Sequence, residues 1–319
     1  MTKNQFLTEV NKYLDRIEGN FEVSTFKEKK RKLTNYSKTI YELYCQGLVS
    51  TCDPKKFTAS DVYSYQLHRK RTVSDTTLHK DFSILKGFFE SLGSNVMSEY
   101  KAIYGNKKPK SYGGRQEPLP NSVIDKVFKL ARETNDWGIL EGCVAIILGC
   151  SAGIRPQEVR KLLVEDIHID DDRPYVFVRH PKGEGEWGRQ RKAPLNDSPQ
   201  DIIRKYLIMR EQKVEQWSVD SSALFPPLMV KSGFVEMEAI NKRKRQVAKI
   251  IGEDFVLKDA RRAYGQRMLD RGVPIESVSY AMGHDSIKTT QKYYANYREE
   301  SVLDNIYDVM RSTPEGTMP

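Results

Sequence analysis

Apolar residues in the first third of the chain recur every three or four positions, the spacing of a helix with one buried face. Phe6, Val10, Tyr13, Leu14 and Ile17 show it, and so, less cleanly, do Leu33, Tyr36, Ile40, Leu43 and Tyr44. Ser74 and Asp75 can cap another helix that carries Leu78, Phe82, Leu85, Phe88, Phe89 and Leu92. No strand-like alternation interrupts these stripes. They predict a small all-helical domain over residues 1–104. Residues 105–120 combine glycine, proline and like charges, which cannot continue a helix and predict a basic linker.

Beyond the linker, Val123, Val127, Phe128 and Leu130 begin a new helical pattern. Residues 140–150 are so uniformly apolar that a helix there is expected to be buried on all sides. Residues 167–169, 175–178 and 191–195 read as three short strands, separated by an Asp-rich turn at 170–174 and a Gly-rich stretch at 182–188. Everything that follows reads as helical. The expected fold class is mainly α with a small antiparallel β-sheet in a C-terminal domain, residues 121–300. In the tail, 301–319, Val302, Leu303, Ile306, Tyr307 and Met310 keep helical spacing, for packing in cis or on a neighbouring protomer.

A length of 319 residues agrees with two domains rather than one. With 39% hydrophobic and 10% aromatic residues the chain has material for packed cores, which argues against global disorder. No apolar run approaches the roughly 18 residues a membrane span needs, and the N-terminus has no apolar signal core. Cys45, Cys52, Cys143 and Cys150 form no CxxC pair, against a zinc ribbon or a disulfide scaffold. A soluble, cytoplasmic protein is expected. The net charge of +9 is unevenly spread. Residues 1–120 hold 21 Lys and Arg against 13 Asp and Glu, whereas the rest of the chain holds 31 against 30. A basic balance permits a nucleic-acid partner without proving one. Lys107, Lys108, Lys110 and Arg115 on the linker suit tracking a phosphate backbone, although a solvated spacer has the same composition.

Four segments carry candidate chemistry. In the first, Arg155 precedes Pro156, which can open a helix, so a guanidinium stands beside free backbone N–H groups, with Glu158 one turn on to hold it. In the second, Lys182 enters the turn of a hairpin. In the third, Lys258 and Arg261 are three apart and share a helical face. In the fourth, Gly283-His284 precedes a Ser/Thr-rich turn and a tyrosine cluster, Tyr293, Tyr294 and Tyr297. Each alone is an ordinary surface or packing feature. Together they offer cationic donors and a nucleophile. The Asp170–Asp172 run lacks histidine partners, giving two-metal catalysis little support, and neither a GxxxxGK[ST] loop nor a GxGxxG loop occurs. Attack by a tyrosine on a phosphodiester held by cations fits best.

In this order the segments resemble the tyrosine recombinase, or phage integrase, family. Ser151-Ala-Gly-Ile-Arg-Pro-Gln-Glu158 looks like its Arg-x-x-Glu box, with Ser-Ala for the usual Thr. Lys182 matches the hairpin lysine, supported by Arg191-Lys-Ala-Pro-Leu195. Lys258-Asp-Ala-Arg261 matches the second arginine box, with Lys258 where the family usually has His. Met282-Gly-His284 and Thr289-Thr-Gln-Lys-Tyr293 match the remaining two. The resemblance implies a two-domain, C-shaped clamp on double-stranded DNA, its first domain the helical core-binding one. It implies no cofactor and no metal. Tyr293 would attack the scissile phosphate and leave a 3′-phosphotyrosyl bond and a free 5′-hydroxyl. Arg155 and Arg261 would clamp the non-bridging oxygens, Lys182 would protonate the leaving oxygen, and His284 would donate to the phosphate. Lys258 is left between phosphate donor and base, and Arg262 is a further phosphate contact. The box spacing selects Tyr293 over Tyr294. Residues 241–246, a basic run, could lie along the DNA backbone or form a solvated helix face.

The implied activity is site-specific recombination, as an integrase of a mobile element or a Xer-type dimer resolvase. The implied partner is DNA bearing specific recombination sites, bound as a homotetramer on paired sites by a protein that is a monomer or dimer when free. The setting would be the cytoplasm of a prokaryotic or virus-infected cell. A type IB topoisomerase and a non-catalytic DNA-binding protein are the competing classes.

Overall fold

The structure is a computed structural model. It describes residues 4–110, 117–185, 188–228 and 233–294 together with Tyr307, and side chains along the chain as far as Gln291 and again at Tyr307. Arg115, Tyr297 and the tail apart from Tyr307 lie outside the described residues. The chain divides into two compact units, Met1–Gly114 and Arg115–Pro319.

The first unit contains helices α1 (Gln5–Ile17), α2 (Val23–Cys45), α3 (Ala59–Lys70), α4 (Asp75–Ser91) and α5 (Val96–Tyr104). Short polar side chains start several of them: Asn4 accepts from the Leu7 N–H, Thr58 from Asp61, and Ser74 from Thr77. The core is aromatic. Phe6 meets Phe57, Phe88 and Phe89, and Phe82 meets Tyr65 and Tyr100, with centroid separations of 5.2 to 6.4 Å. Past α5 the chain continues as a 3-10 turn, Gly105–Lys107. Gln66 donates to the Lys107 carbonyl at 2.7 Å, and the Lys107 ammonium lies over the Tyr63 ring. A residue expected on the linker is therefore held on the helical unit, because a side-chain amide and a ring partner it there.

The second unit is built around α7 (Trp137–Ala152). Asp136 caps its start, accepting from the Ile139 N–H at 2.8 Å. Its apolar surface runs all round, so it is buried throughout, with α6 (Asn121–Glu133), α10 (Met237–Ile251), α11 (Leu257–Asp270) and α9 (Gln200–Gln216) packed about it. The short helix α8 (Pro156–Arg160) follows α7. Strands β1 (Ile167–His168), β2 (Tyr175–Val178) and β3 (Arg191–Pro194) form an antiparallel sheet in the order β1-β2-β3, with Val178 opposite Arg191. Helices α12 (Ile275–Met282) and α13 (Ile287–Tyr294) complete the described residues before Tyr307. No described helix is long and apolar enough to cross a membrane.

One expectation fails. The stretch between α9 and α10 is not helical where it is described. Pro226 and Pro227 break it, and Ala223 instead bridges Leu163. Arg210, buried on α9, holds the stretch by donating to the carbonyls of Ser221 and Ala223 at 2.5 to 2.9 Å.

Candidate active site

Helix α12 ends at Met282, and its last carbonyls point out of the helix without partners inside it. Three arginines from three different elements supply those partners. Arg191 on β3 donates through Nε to the Ala281 carbonyl at 2.9 Å. Arg261 on α11 donates through Nη2 to the Met282 carbonyl at 2.8 Å and through Nη1 to the Gly153 carbonyl at 2.5 Å. Arg155, just before α8, donates through Nη2 to the Gly283 carbonyl at 2.7 Å. The negative end of the helix dipole thus gathers three positive charges at one place.

Glu158 links two of them, Arg155 and Arg191. It accepts from Arg155 Nη1 at 2.8 Å and from Arg191 Nη2 at 2.8 Å, and it also accepts the Arg155 backbone N–H. Burial alone would raise its carboxyl pKa. Arg191 first, then Arg155 and Arg261, pull it down to about 2, so it is an anion at neutral pH. Gly283 turns the chain out of α12 with φ at +66°, and a Cβ there would lie 2.6 Å from the Arg191 guanidinium. Both facts require glycine in the Gly-His pair.

His284 follows. Arg261 Nη2 lies 2.8 Å from its Nε2, and Thr290 Oγ1 lies 2.7 Å from its Nδ1. A guanidinium only donates, so Nε2 carries the lone pair and Nδ1 the proton. Burial, then Arg261, Arg155 and Arg191, push the imidazole pKa down to about 3, and the ring is neutral at pH 7. Nε2 thus accepts from Arg261, whereas the donation expected of His284 is to a phosphate, a different partner. Three guanidiniums against one carboxylate leave the cluster with a net charge of about +2, suited to a phosphodiester.

The other expected residues fall in distinct places. Lys182 is exposed at the start of the β2–β3 hairpin, and it lines the same cleft as Arg191, Gly283 and His284. Lys258 is exposed on the first turn of α11, while Arg261, one turn on, is buried. Arg262 is ion-paired with Asp259. Tyr293 and Tyr294 close α13, their side chains outside the described residues. Of the linker lysines, Lys108 is half-buried and Lys110 exposed. The basic run 241–246 is split: Arg243 pairs with Glu141 at 2.9 Å, Lys244 is buried against the Phe255 carbonyl, and Arg245 pairs with Glu238. Among the described residues no group of three His, Cys, Asp or Glu side chains is placed to hold a metal ion.

Sequence reasoning missed Arg191 as a site residue. Strand parity could have found it. Arg191 and Ala193 alternate with Lys192 and Pro194 on β3 and are the buried pair.

The fold is mainly helical with a small sheet, and three guanidiniums, two of them buried, converge ahead of a helix whose sequence carries tyrosines, an arrangement suited to phosphoryl transfer. The chain belongs to the phage integrase family, the tyrosine recombinases: that family's pattern matches residues 121–300. The tyrosine recombinase XerA of Pyrococcus horikoshii is 26% identical over 230 residues, 70% of this chain and 71% of that protein. The tyrosine recombinase XerD of Listeria monocytogenes serotype 4b is 21% identical over 280 residues, 87% of this chain and 89% of that one. Among solved structures, the XerH site-specific recombinase bound to a palindromic difH substrate aligns at 15% identity with a TM-score of 0.66, covering 95% of this chain and 84% of that one. The Tn1549 transposon integrase in complex with transposon right end DNA aligns at 16% identity with a TM-score of 0.65, covering 95% and 99%. These likenesses show the fold.

Proposed function

We propose that this protein recombines DNA at specific sites by cleaving and rejoining strands through Tyr293. The phenolic oxygen attacks the scissile phosphorus, a 3′-phosphotyrosyl bond forms, and the bond to the 5′-oxygen breaks. Lys182 gives that oxygen its proton. Arg155 and Arg261 hold the non-bridging oxygens, where planar donors stabilise the charge of the pentacoordinate state. Lys258, exposed on the first turn of α11, serves as a further phosphate donor or takes the phenol proton. The covalent bond keeps the phosphodiester energy, so a second strand's 5′-hydroxyl can reverse the attack without ATP. The observation that carries this reading is the convergence of Arg155, Arg191 and Arg261 on the carbonyls of residues 281–283, immediately before His284, which itself stands nine residues before the family's nucleophile position. Lys107, Lys108, Lys110, Arg115 and Arg262 add contacts to the DNA backbone, with a tetramer assembling on paired sites in a prokaryotic or virus-infected cytoplasm. A mobile element's integrase is our first reading and a Xer-type dimer resolvase the second, since the same boxes serve both.

The test begins by selecting bound duplexes from a random-sequence library and building nicked suicide substrates from them. Wild type and Tyr294→Phe should trap a covalent adduct, and Tyr293→Phe should trap none. Undiminished trapping by Tyr293→Phe would overturn the assignment. Relaxation of arbitrary plasmid by dilute monomer, with no strand exchange between selected sites, would replace recombinase with topoisomerase. A 5′-thio leaving group needs no proton and should rescue Lys182→Ala; failure to rescue removes Lys182 as the acid.

A further inference from the structure

We propose that Thr290 is a positioning residue for this site, its hydroxyl fixing both the tautomer of His284 and the seat of the helix that carries Tyr293. The inference rests on the reading of Tyr293 above only for its catalytic consequence. Its geometry stands alone.

Thr290 is fully buried, with 0% of its surface exposed. Its hydroxyl is 2.7 Å from His284 Nδ1. The opposite ring nitrogen faces the Arg261 guanidinium at 2.8 Å. Since Arg261 can only donate there, the ring proton resides on Nδ1, and Thr290 accepts it. A continuous chain results: Thr290 on α13, His284, Arg261 on α11, and the Met282 carbonyl that ends α12. Position 293 lies three residues past 290, close to one helical turn.

Two states of α13 then correspond to two states of the phosphate pocket. With α13 seated, the imidazole presents a lone pair to Arg261 and holds that guanidinium in place. With α13 lifted, the half-buried Nδ1 proton loses Thr290 as its acceptor, which weakens the preference for this tautomer and lets the other form. That tautomer would aim an N–H at a guanidinium N–H, and Arg261 would have to move. Docking of the nucleophile's helix and readiness of the arginine clamp are therefore one event. This gives a protein that must not cut stray DNA a structural reason to keep both off together. Thr289, its neighbour, is only half-buried and has no such contact among the described residues.

The experiment uses full-length protein with 15N-labelled histidine, His284 being assigned by comparison with His284→Asn. Long-range proton–nitrogen correlations at pH 7 should show a protonated Nδ1 and an unprotonated Nε2 in wild type. Thr290→Val keeps the shape and removes the acceptor; it should scramble or reverse that pattern. Thr290→Ser should restore it. On the selected suicide duplexes described above, Thr290→Val should slow covalent trapping by about 10- to 100-fold with DNA affinity unchanged, and Thr290→Ser should recover to within a few-fold. A wild-type Nε2–H tautomer, or Thr290→Val with the wild-type tautomer and rate, overturns the proposal. Should the valine variant not fold, the wild-type tautomer and the serine variant still decide it. If wild type traps no adduct on any selected duplex, the recombinase reading falls, while the tautomer measurement still judges Thr290.

Discussion

The two units bury charge differently. Among the described residues the first buries carboxylates alone, Asp61 and Asp81, whereas the second buries Glu141, Glu158 and Asp166 together with cations. The described residues that bury a cation, Arg191, Arg210, Lys244 and Arg261, all belong to the second. At the surface the order reverses, because the excess positive charge of the chain sits in residues 1–120. Asp61 shows what a buried anion does: Ser50 and Thr58 each donate to it through backbone and side chain, closing a helix cap that asks nothing of a ligand. Arg210 shows that a buried cation can be equally structural, since it staples a loop. What sets the site apart is convergence. Three guanidiniums, from the residue before α8, from α11 and from β3, meet on three successive carbonyls, and no local packing demand requires all three there.

The strongest way to break this contrast is to remove the most buried guanidinium of the three. Arg191→Met should leave Glu158, 2% exposed, with one partner fewer and cost about 3 kcal/mol. Glu158→Gln on top should return part of it. Denaturant unfolding measures both, and a loss below about 0.5 kcal/mol would make Arg191 an ordinary strand residue. Asp61→Asn in the first unit should also destabilise, by about 1–3 kcal/mol, yet leave trapping on suicide duplexes intact at temperatures where the protein stays folded.

Next in size is a pair of glycines. Gly283→Ala places a Cβ against the Arg191 guanidinium in a left-handed backbone and should cost about 1–3 kcal/mol. Gly93→Ala in the first unit meets the same kind of backbone, φ at +72°, with open space around it. It should cost about 1 kcal/mol from conformation alone. Thermal unfolding separates them, and equal losses would mean that the contact with Arg191 yields freely.

Acid should also divide the units. Burial works against the Asp61 carboxylate, but its hydrogen bonds from Ser50 and Thr58 hold its pKa below 3.8, so its contribution is complete above that value and lost below it. His284 is held at about 3 against an ordinary 6.5, so the stability tied to its neutral form is complete above 6.5 and declines as pH falls toward 3. Glu141 opposes this trend: burial outweighs Arg243 and raises it to about 7, making its contribution complete below 4.5 and lost as pH rises through 7. In Glu141→Gln protein, calorimetry between pH 6.5 and 5 should therefore show the second unit losing on the order of 1 kcal/mol and the first unit nothing. Equal losses would refute the contrast.

Much of this was legible in the sequence, for identifiable reasons. The helix α7 announced itself because an unbroken apolar run has no solvent-facing side. Ser74 marked a helix start because its hydroxyl can satisfy a terminal N–H. Arg155, Lys182, Arg261 and His284 were legible through the order of the boxes around them. Arg191 was not, because a strand residue flanked by Gln190 and Lys192 reads as surface until the parity set by Ala193 is considered. Thr290 was hidden for another reason. Its partner is six residues away across a turn, and a buried threonine in a helix ordinarily signals nothing. The stretch after α9 was misread although Pro226-Pro227 stood in plain view.

The smallest effect tests which of two lysines is packed on the first unit. Lys107 and Lys110 are separated by three positions on a segment whose composition makes them look equivalent. Both are exposed, but the Lys107 ammonium lies 5.1 Å from the centroid of Tyr63, whose ring stacks on Tyr104 at 4.4 Å, and Lys110 has no such ring contact among the described residues. Lys107→Ala should lower the stability of the first unit by about 0.5 kcal/mol; Lys110→Ala should not change it. Lys110→Ala should instead flatten the log–log dependence of DNA affinity on salt by about 0.9, since a phosphate contact releases its counterion whether or not the lysine is part of a fold. A stability loss in Lys110→Ala matching that of Lys107→Ala would show that the Lys110 side chain is packed on the first unit as firmly as that of Lys107. The two lysines would then have been told apart by a ring stack that does not in fact distinguish them.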